Sequence, residues 1–208
     1  MLRHKHIITT RLHSAYIQLA RANAKKFTDA KLPSHLRHVE ERGRTESIDS
    51  LVGNMAALRA SIHLFGDKKK YEDAAWVANK FPAMRKVVGD DVLDDGGCDF
   101  IGLNIDVKAS LIRKANPDLL SYNAPVRPHE FYSTHIYLFI FMEALEGETD
   151  EEKLSCLKWK SHIMGWCVGQ DYIDDHGEEP NGTGVFEGAH ILPVTALNPV
   201  MPWTWQSG

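Results

Sequence analysis

The chain has little that would staple it, anchor it in a bilayer or coat it with one charge. Three cysteines, Cys98, Cys156 and Cys167, cannot close an even disulfide framework, and none shows the C-x2-C spacing of a zinc knuckle. Reduced thiols and a cytoplasmic setting are expected. No apolar run is long enough to cross a membrane as a helix. The basic start, Met1 to His6, is not followed by an apolar stretch with a small-residue cleavage site, so no secretory signal is expected. Internal repeats and low-complexity tracts are absent too. Positive charge is not in excess: the formal net charge is −4. Phosphate contacts draw on Lys and Arg, so nucleic-acid binding would have to rest on a local patch. The 11 histidines include no H-E-x-x-H and no Cys/His zinc spacing. No nucleophile elbow marks a serine hydrolase.

What remains is a globular composition, 43% hydrophobic and 25% charged, on 208 residues, which is enough for one domain with its own core. The organisation expected is an N-terminal helical extension over 1–45, a core over 46–200 and a tail over 201–208. Ile8, Leu12, Ala15, Leu19 and Ala22 recur at helical spacing and predict a helix over 8–30. Leu51, Met55, Leu58, Ile62 and Phe65 predict a second helix from Ser47 to Phe65, capped by Thr45 or Ser47 and stopped at Gly66. A shorter helix is expected over 70–80. Beyond it the pattern changes to strands: 98–101, 104–110, His135 to Met142, Leu157 to Val168 with a break near Gly165, and His190 to Val194. Gly169 to Gly188 reads as a long loop. Helices followed by a mostly antiparallel or mixed sheet make an α+β domain.

The chemistry concentrates in Cys98-Asp99-Phe100-Ile101-Gly102-Leu103-Asn104-Ile105-Asp106-Val107-Lys108. With Gly102-Leu103 as a two-residue type II′ turn, Asp99 falls opposite Asp106. Opposed residues share a sheet face with Cβ atoms about 4.5–5.5 Å apart. Lys108, two residues beyond Asp106, shares that face. Two opposed aspartates repel, and a divalent cation between them removes the repulsion. Mg²⁺ is commonly held by one or two carboxylates together with waters and substrate phosphate. Such an ion polarises a phosphodiester and acidifies a bound water, while a nearby lysine orients or deprotonates that water and neutralises growing charge.

Asp99…Asp106-Val107-Lys108 on a hairpin, continuing as Ala109-Ser110, resembles the PD-(D/E)XK nuclease superfamily, small phage-type members in particular. The resemblance implies a restriction-endonuclease-like core and a Mg²⁺- or Mn²⁺-dependent deoxyribonuclease acting on DNA. Asp99 and Asp106 would bind metal, with the Val107 carbonyl as a further ligand, and Lys108 would assist catalysis. A phage-encoded chain would work in the host cytoplasm, and a homodimer is compatible with the pattern. The resemblance also implies a glutamate on the first core helix. Ala57 stands where it would be sought, so Glu46, at the mouth of that helix, is the candidate. No proline precedes Asp99. Arg113 and Lys114, shortly after the lysine, are candidates for phosphate contact, and His129 with Glu130, just before the long strand, for approach to substrate. The rival readings are a catalytically inactive nucleic-acid- or protein-binding module on the same fold, and a structural phage protein.

Overall fold

Strand β1 (Ile8–Arg11) stands where helical spacing predicts the start of a helix. The computed structural model describes residues 2–29, 46–72, 99–100, 103–113 and 117–200. Ile8-Thr9-Thr10 is a β-branched run, stiff at χ1 and suited to a pleated edge. It pairs antiparallel with β5 (Trp159–Val168), Thr9 opposite His162. Helix α1 (Ser14–Asp29) begins only after it, where the His13 ring accepts the Ala15 N–H at 3.2 Å. The N-terminal segment is therefore part of the core: β1 joins the main sheet, and Ile17, Ala20 and Ala24 of α1 are buried in it.

Helix α2 (Glu46–Phe65) matches its expected bounds. Gly66 ends it at φ +80°, a left-handed conformation that glycine adopts without steric cost. Residues 69–72 are helical, and the rest of the helix expected over 70–80 lies outside the described residues.

The main sheet has four strands in the order β1-β5-β4-β2, with β2 spanning Ile105–Ile112 and β4 Ile136–Ala144. It is mixed: β5 runs antiparallel to β1 and β4, whereas β2 and β4 are parallel. Both faces are covered, as the unbroken apolar run of β4 requires. Leu138, Ile140 and Met142 pack with α1 and α2 in one core. Tyr137, Phe139 and Phe141 enter a second core with Met164, Cys167, Tyr172 and Leu192. Full burial of each such ring contributes about 1.5–3 kcal/mol.

The stretch predicted as a long loop opens instead with a helix, Gly169–His176, here α4 (α3 being Asp150–Ser155). Asp171 accepts the Val168 N–H at 2.8 Å, and buried Tyr172 donates its hydroxyl to the Ala124 carbonyl at 2.8 Å. Those anchors outweigh a Gly/Asp/Glu-rich composition. A two-stranded antiparallel sheet pairs β3 (Asn123–Val126) with β6 (His190–Pro193). Gly165 does not break β5. The ladder passes from Phe139–Gly165 to Ile140–Ile163, a bulge that leaves Met164 as the extra residue. Among the described residues no helix is long and apolar enough to cross a membrane.

Candidate functional site

Period-two alternation puts Ile105, Val107 and Leu111 of β2 into the core under α2. Asp106 and Lys108 therefore point to the other face, opposite Tyr137 and Phe139 in the parallel ladder. Asp106 is only 5% exposed. Lys108 Nζ lies 2.7 Å from Asp106 Oδ2 and 2.8 Å from Glu130 Oε2. The contact with Glu130 is a directed hydrogen bond. The contact with Asp106 has ion-pair distance but lacks hydrogen-bond alignment, so buried Oδ2 has no directed donor. The ammonium also sits 5.8 Å from the centroid of the Tyr137 ring, within cation–π range.

Asp99 completes the cluster by a route other than strand pairing. It lies in a bend, and the sheet partner of β2 is β4. The expected antiparallel register of Asp99 with Asp106 is not formed; the turn proposed at Gly102-Leu103 and the strand over 98–101 fall largely outside the described residues. Asp99 instead donates its N–H to the Ile105 carbonyl at 3.0 Å and accepts the Val107 N–H on Oδ2 at 2.6 Å. Its carboxylate does what a neighbouring strand carbonyl would do. Those bonds flank Asp106 on both sides, so the two aspartates come together even though no ladder pairs them.

Burial is the largest influence on Asp106 and raises its carboxyl well above the usual carboxylate range. The Lys108 charge pulls the other way, while Asp99 and Glu130 add to the rise. For Lys108 burial acts downward, but the charges of Asp106 and Glu130 outweigh it and hold the ammonium above its ordinary value. Asp106 and Glu130 thus share one ammonium at a buried site, and Asp99 lies close enough to act on Asp106.

The buried Oδ2 of Asp106, without a directed donor, is an oxygen that could face a small divalent cation. Among the described residues no group of three or more His, Cys, Asp and Glu side chains is arranged to hold a metal ion. Asp99 and Asp106 are the side chains that could hold an ion of the Mg²⁺ kind, which takes one or two carboxylates and fills its remaining positions with water and phosphate oxygens.

The other expected site residues fall elsewhere. Helix α2 runs antiparallel to β2: Phe65, at its C-terminal end, packs edge-on against Phe100, with ring centroids 5.4 Å apart. Asp49, near its N-terminal end, acts electrostatically on Arg113 beyond the far end of β2. A helix this long spans about 28 Å, so the Glu46 backbone stands at the end remote from Asp99. This removes Glu46 from the site. Ala57 faces Leu58 and Tyr71 in a small cluster away from β2, so a glutamate there would not reach it. Arg113 makes two hydrogen bonds to Asp150, at 2.7 and 3.0 Å. Five residues of strand also separate it from Lys108, roughly 16 Å. Lys114 lies outside the described residues, and nothing is described of the His129 side chain.

Glu130 is the carboxylate that the site gains. Parallel pairing sets Ile105 opposite Ile136, so the segment entering β4 lies beside the entrance to β2. The 3-10 turn Pro128–Glu130 is held there by the buried Tyr137 hydroxyl, which donates to the Glu130 carbonyl at 3.0 Å.

The chain matches no protein-family model, no curated protein and no solved structure.

Proposed function

We propose that this protein is a Mg²⁺- or Mn²⁺-dependent nuclease hydrolysing DNA phosphodiester bonds, built on a restriction-endonuclease-like core. The observation that carries the reading is Lys108 held between Asp106 and Glu130, with Asp99 bracketing Asp106 on the backbone of β2. Asp99 and Asp106 would hold the cation, with the Val107 carbonyl as a candidate further ligand. When bound, the ion would acidify a coordinated water and neutralise phosphate charge.

The protein groups have distinct tasks. Asp106, raised by burial, gives up its proton as a cation takes its place, so binding is proton-linked. Lys108, held protonated by two carboxylates, serves as a fixed positive donor toward phosphoryl oxygens and not as the base that removes a proton from water. Glu130 is a positioning residue: it aims the ammonium and keeps it charged. Asp99 fixes the backbone of β2 on both sides of Asp106.

The test is a cleavage assay on plasmid, linear duplex and single-stranded DNA with Mg²⁺, Mn²⁺ or chelator, comparing wild type with Asp106→Asn and Lys108→Ala. Metal-dependent cleavage lost in both folded variants supports the reading; cleavage unchanged in either variant refutes it.

One observation favours a second reading, a non-catalytic binding module. Lys108 already bridges Asp106 and Glu130 and pins the entrance of β2 to the turn before β4. A cluster with only that role would show no Mn²⁺ binding by calorimetry, and removing Lys108 would lower stability alone.

A further inference from the structure

At the opposite edge of the sheet, on the face that carries α2, a guanidinium is buried without a counter-charge. Arg59 is 8% exposed. Its Nη2 donates to the Thr10 hydroxyl at 3.3 Å, and its Nε is buried with no acceptor. Among the described residues no carboxylate pairs with it, and burial alone pulls its proton affinity down. Buried arginines are rare unless paired, because an uncompensated charge is costly in a low-dielectric setting. His63, one helical turn on, presents a buried Nε2 that also lacks a partner. Burial, and then the Arg59 charge, lower the affinity of His63 for a proton.

We propose that Arg59, His63 and Thr10 form a binding site for a phosphate group. A guanidinium fork, an imidazole and a hydroxyl offer donors in more than two directions, which suits a tetrahedral oxyanion better than a planar carboxylate. A phosphate would neutralise Arg59, offer an acceptor to its unpartnered nitrogen and favour the protonated form of His63. Thr10 is exposed on the edge strand β1, so the residue that Arg59 touches borders solvent. Thr10, on β1, is three interstrand steps from β2, about 14 Å, and Arg59 and His63 belong to α2, which covers the sheet face opposite to that of Asp106 and Lys108. The site does not depend on the nuclease reading.

The test is thermal unfolding in inorganic phosphate against chloride of equal ionic strength, with wild type, Arg59→Met and Thr10→Val, alongside an NMR titration of the His63 ring. Phosphate at roughly a hundredfold above its Kd should raise the wild-type Tm by about 5 °C or more. Arg59→Met should lose that rise while being as stable as wild type in chloride, since replacing an unpaired buried charge by an apolar chain of similar length relieves its desolvation. In wild type, phosphate should shift the His63 titration to higher pH. An equal Tm rise in wild type and Arg59→Met, or a His63 titration unmoved by phosphate, overturns the proposal. The NMR arm uses only wild type, so it decides even where a variant fails to fold. A short single-stranded oligonucleotide that competes with inorganic phosphate identifies the group as a nucleic-acid phosphate; one that does not compete identifies a free phosphate.

Discussion

Asp99 accepts the backbone N–H of Val107 at 2.6 Å and donates its own N–H to the carbonyl of Ile105 at 3.0 Å. One aspartate thus brackets the backbone on either side of another. Structural and electrostatic contributions of Asp99 are separable because an amide can replace the acceptor but not the charge. Asp99→Asn should keep the Val107 hydrogen bond and fold with a stability loss of about 0.5 kcal/mol, whereas Asp99→Ala, which strands that N–H, should lose about 1–3 kcal/mol. Urea unfolding measures both. On the nuclease reading, Asn and Ala should weaken Mn²⁺ binding alike, because each removes the charge.

On the nuclease reading, removing the charge of Asp106 should lower metal-dependent cleavage by a hundredfold or more, on the scale of losing a principal electrostatic contributor. Asp106→Asn is also expected to fold normally, since the buried group is already held toward its neutral form. Circular dichroism and a plasmid-nicking assay provide the two measurements. Wild-type cleavage rates in Asp106→Asn would refute the site.

Glu130→Gln retains an acceptor for Lys108 but not the charge that holds the ammonium protonated. On the nuclease reading, cleavage should fall about 10- to 100-fold, the scale of removing an orienting partner from a metal site. The loss should appear in kcat, with the alkaline limb of the pH profile moved to lower pH. A purely structural Glu130 would change stability and leave that limb in place.

The pH dependence of stability has two opposed parts. His63, His162 and His190 all have proton affinities lowered, in each case chiefly by burial. A depressed folded value means that their contribution is complete above the unfolded value of about 6.5 and is lost as pH falls through the folded values. Asp106 is raised, so its contribution is complete below the unfolded carboxylate value and lost as pH rises through the folded one. In Asp106→Asn only the histidine part remains near neutrality. Tm should then fall steadily between pH 7 and pH 5; a flat profile would show that the rings are not buried in neutral form.

Gly165 sits at φ +153°, and an added Cβ would come within 2.7 Å of the Asn198 carbonyl oxygen and 2.8 Å of Leu197 Cβ. Gly165→Ala should therefore destabilise by about 2–3 kcal/mol through backbone strain and overpacking. Thermal or urea unfolding checks the value. A neutral substitution would mean that the 197–198 segment yields readily.

Much of the site was legible along β2, because Asp106 and Lys108 share a face by strand periodicity alone. Asp99 was also legible as a neighbour, though by a different mechanism from the ladder that its spacing suggests. Glu130 was not. Its place depends on β2 and β4 running parallel, and a parallel partner leaves no turn signature between adjacent strands. The same limit hid β1, whose partner is far along the chain and whose apolar residues fit a helical stripe equally well. Helix α4 was obscured by composition, since Gly169, Asp171 and Asp174 read as loop unless the buried Tyr172 is recognised as an anchor. The T-x-x-E of Thr149 and Glu152 is a local helix-start signal that was not among the expected elements: their reciprocal capping bonds, at 3.2 and 3.1 Å, open α3.

The pairing of Thr9 with His162 joins positions 153 apart in sequence. During synthesis β1 leaves the ribosome long before its partner exists, and α1 and α2 emerge with no sheet to cover. The apolar stripe of α2 must then wait, exposed, for β4 and β5. Such long-range closure is slow and leaves early intermediates prone to stick to one another. A chain stopped before β5 should remain an aggregating fragment, and expression at low temperature or with chaperones should raise the soluble yield of the full protein.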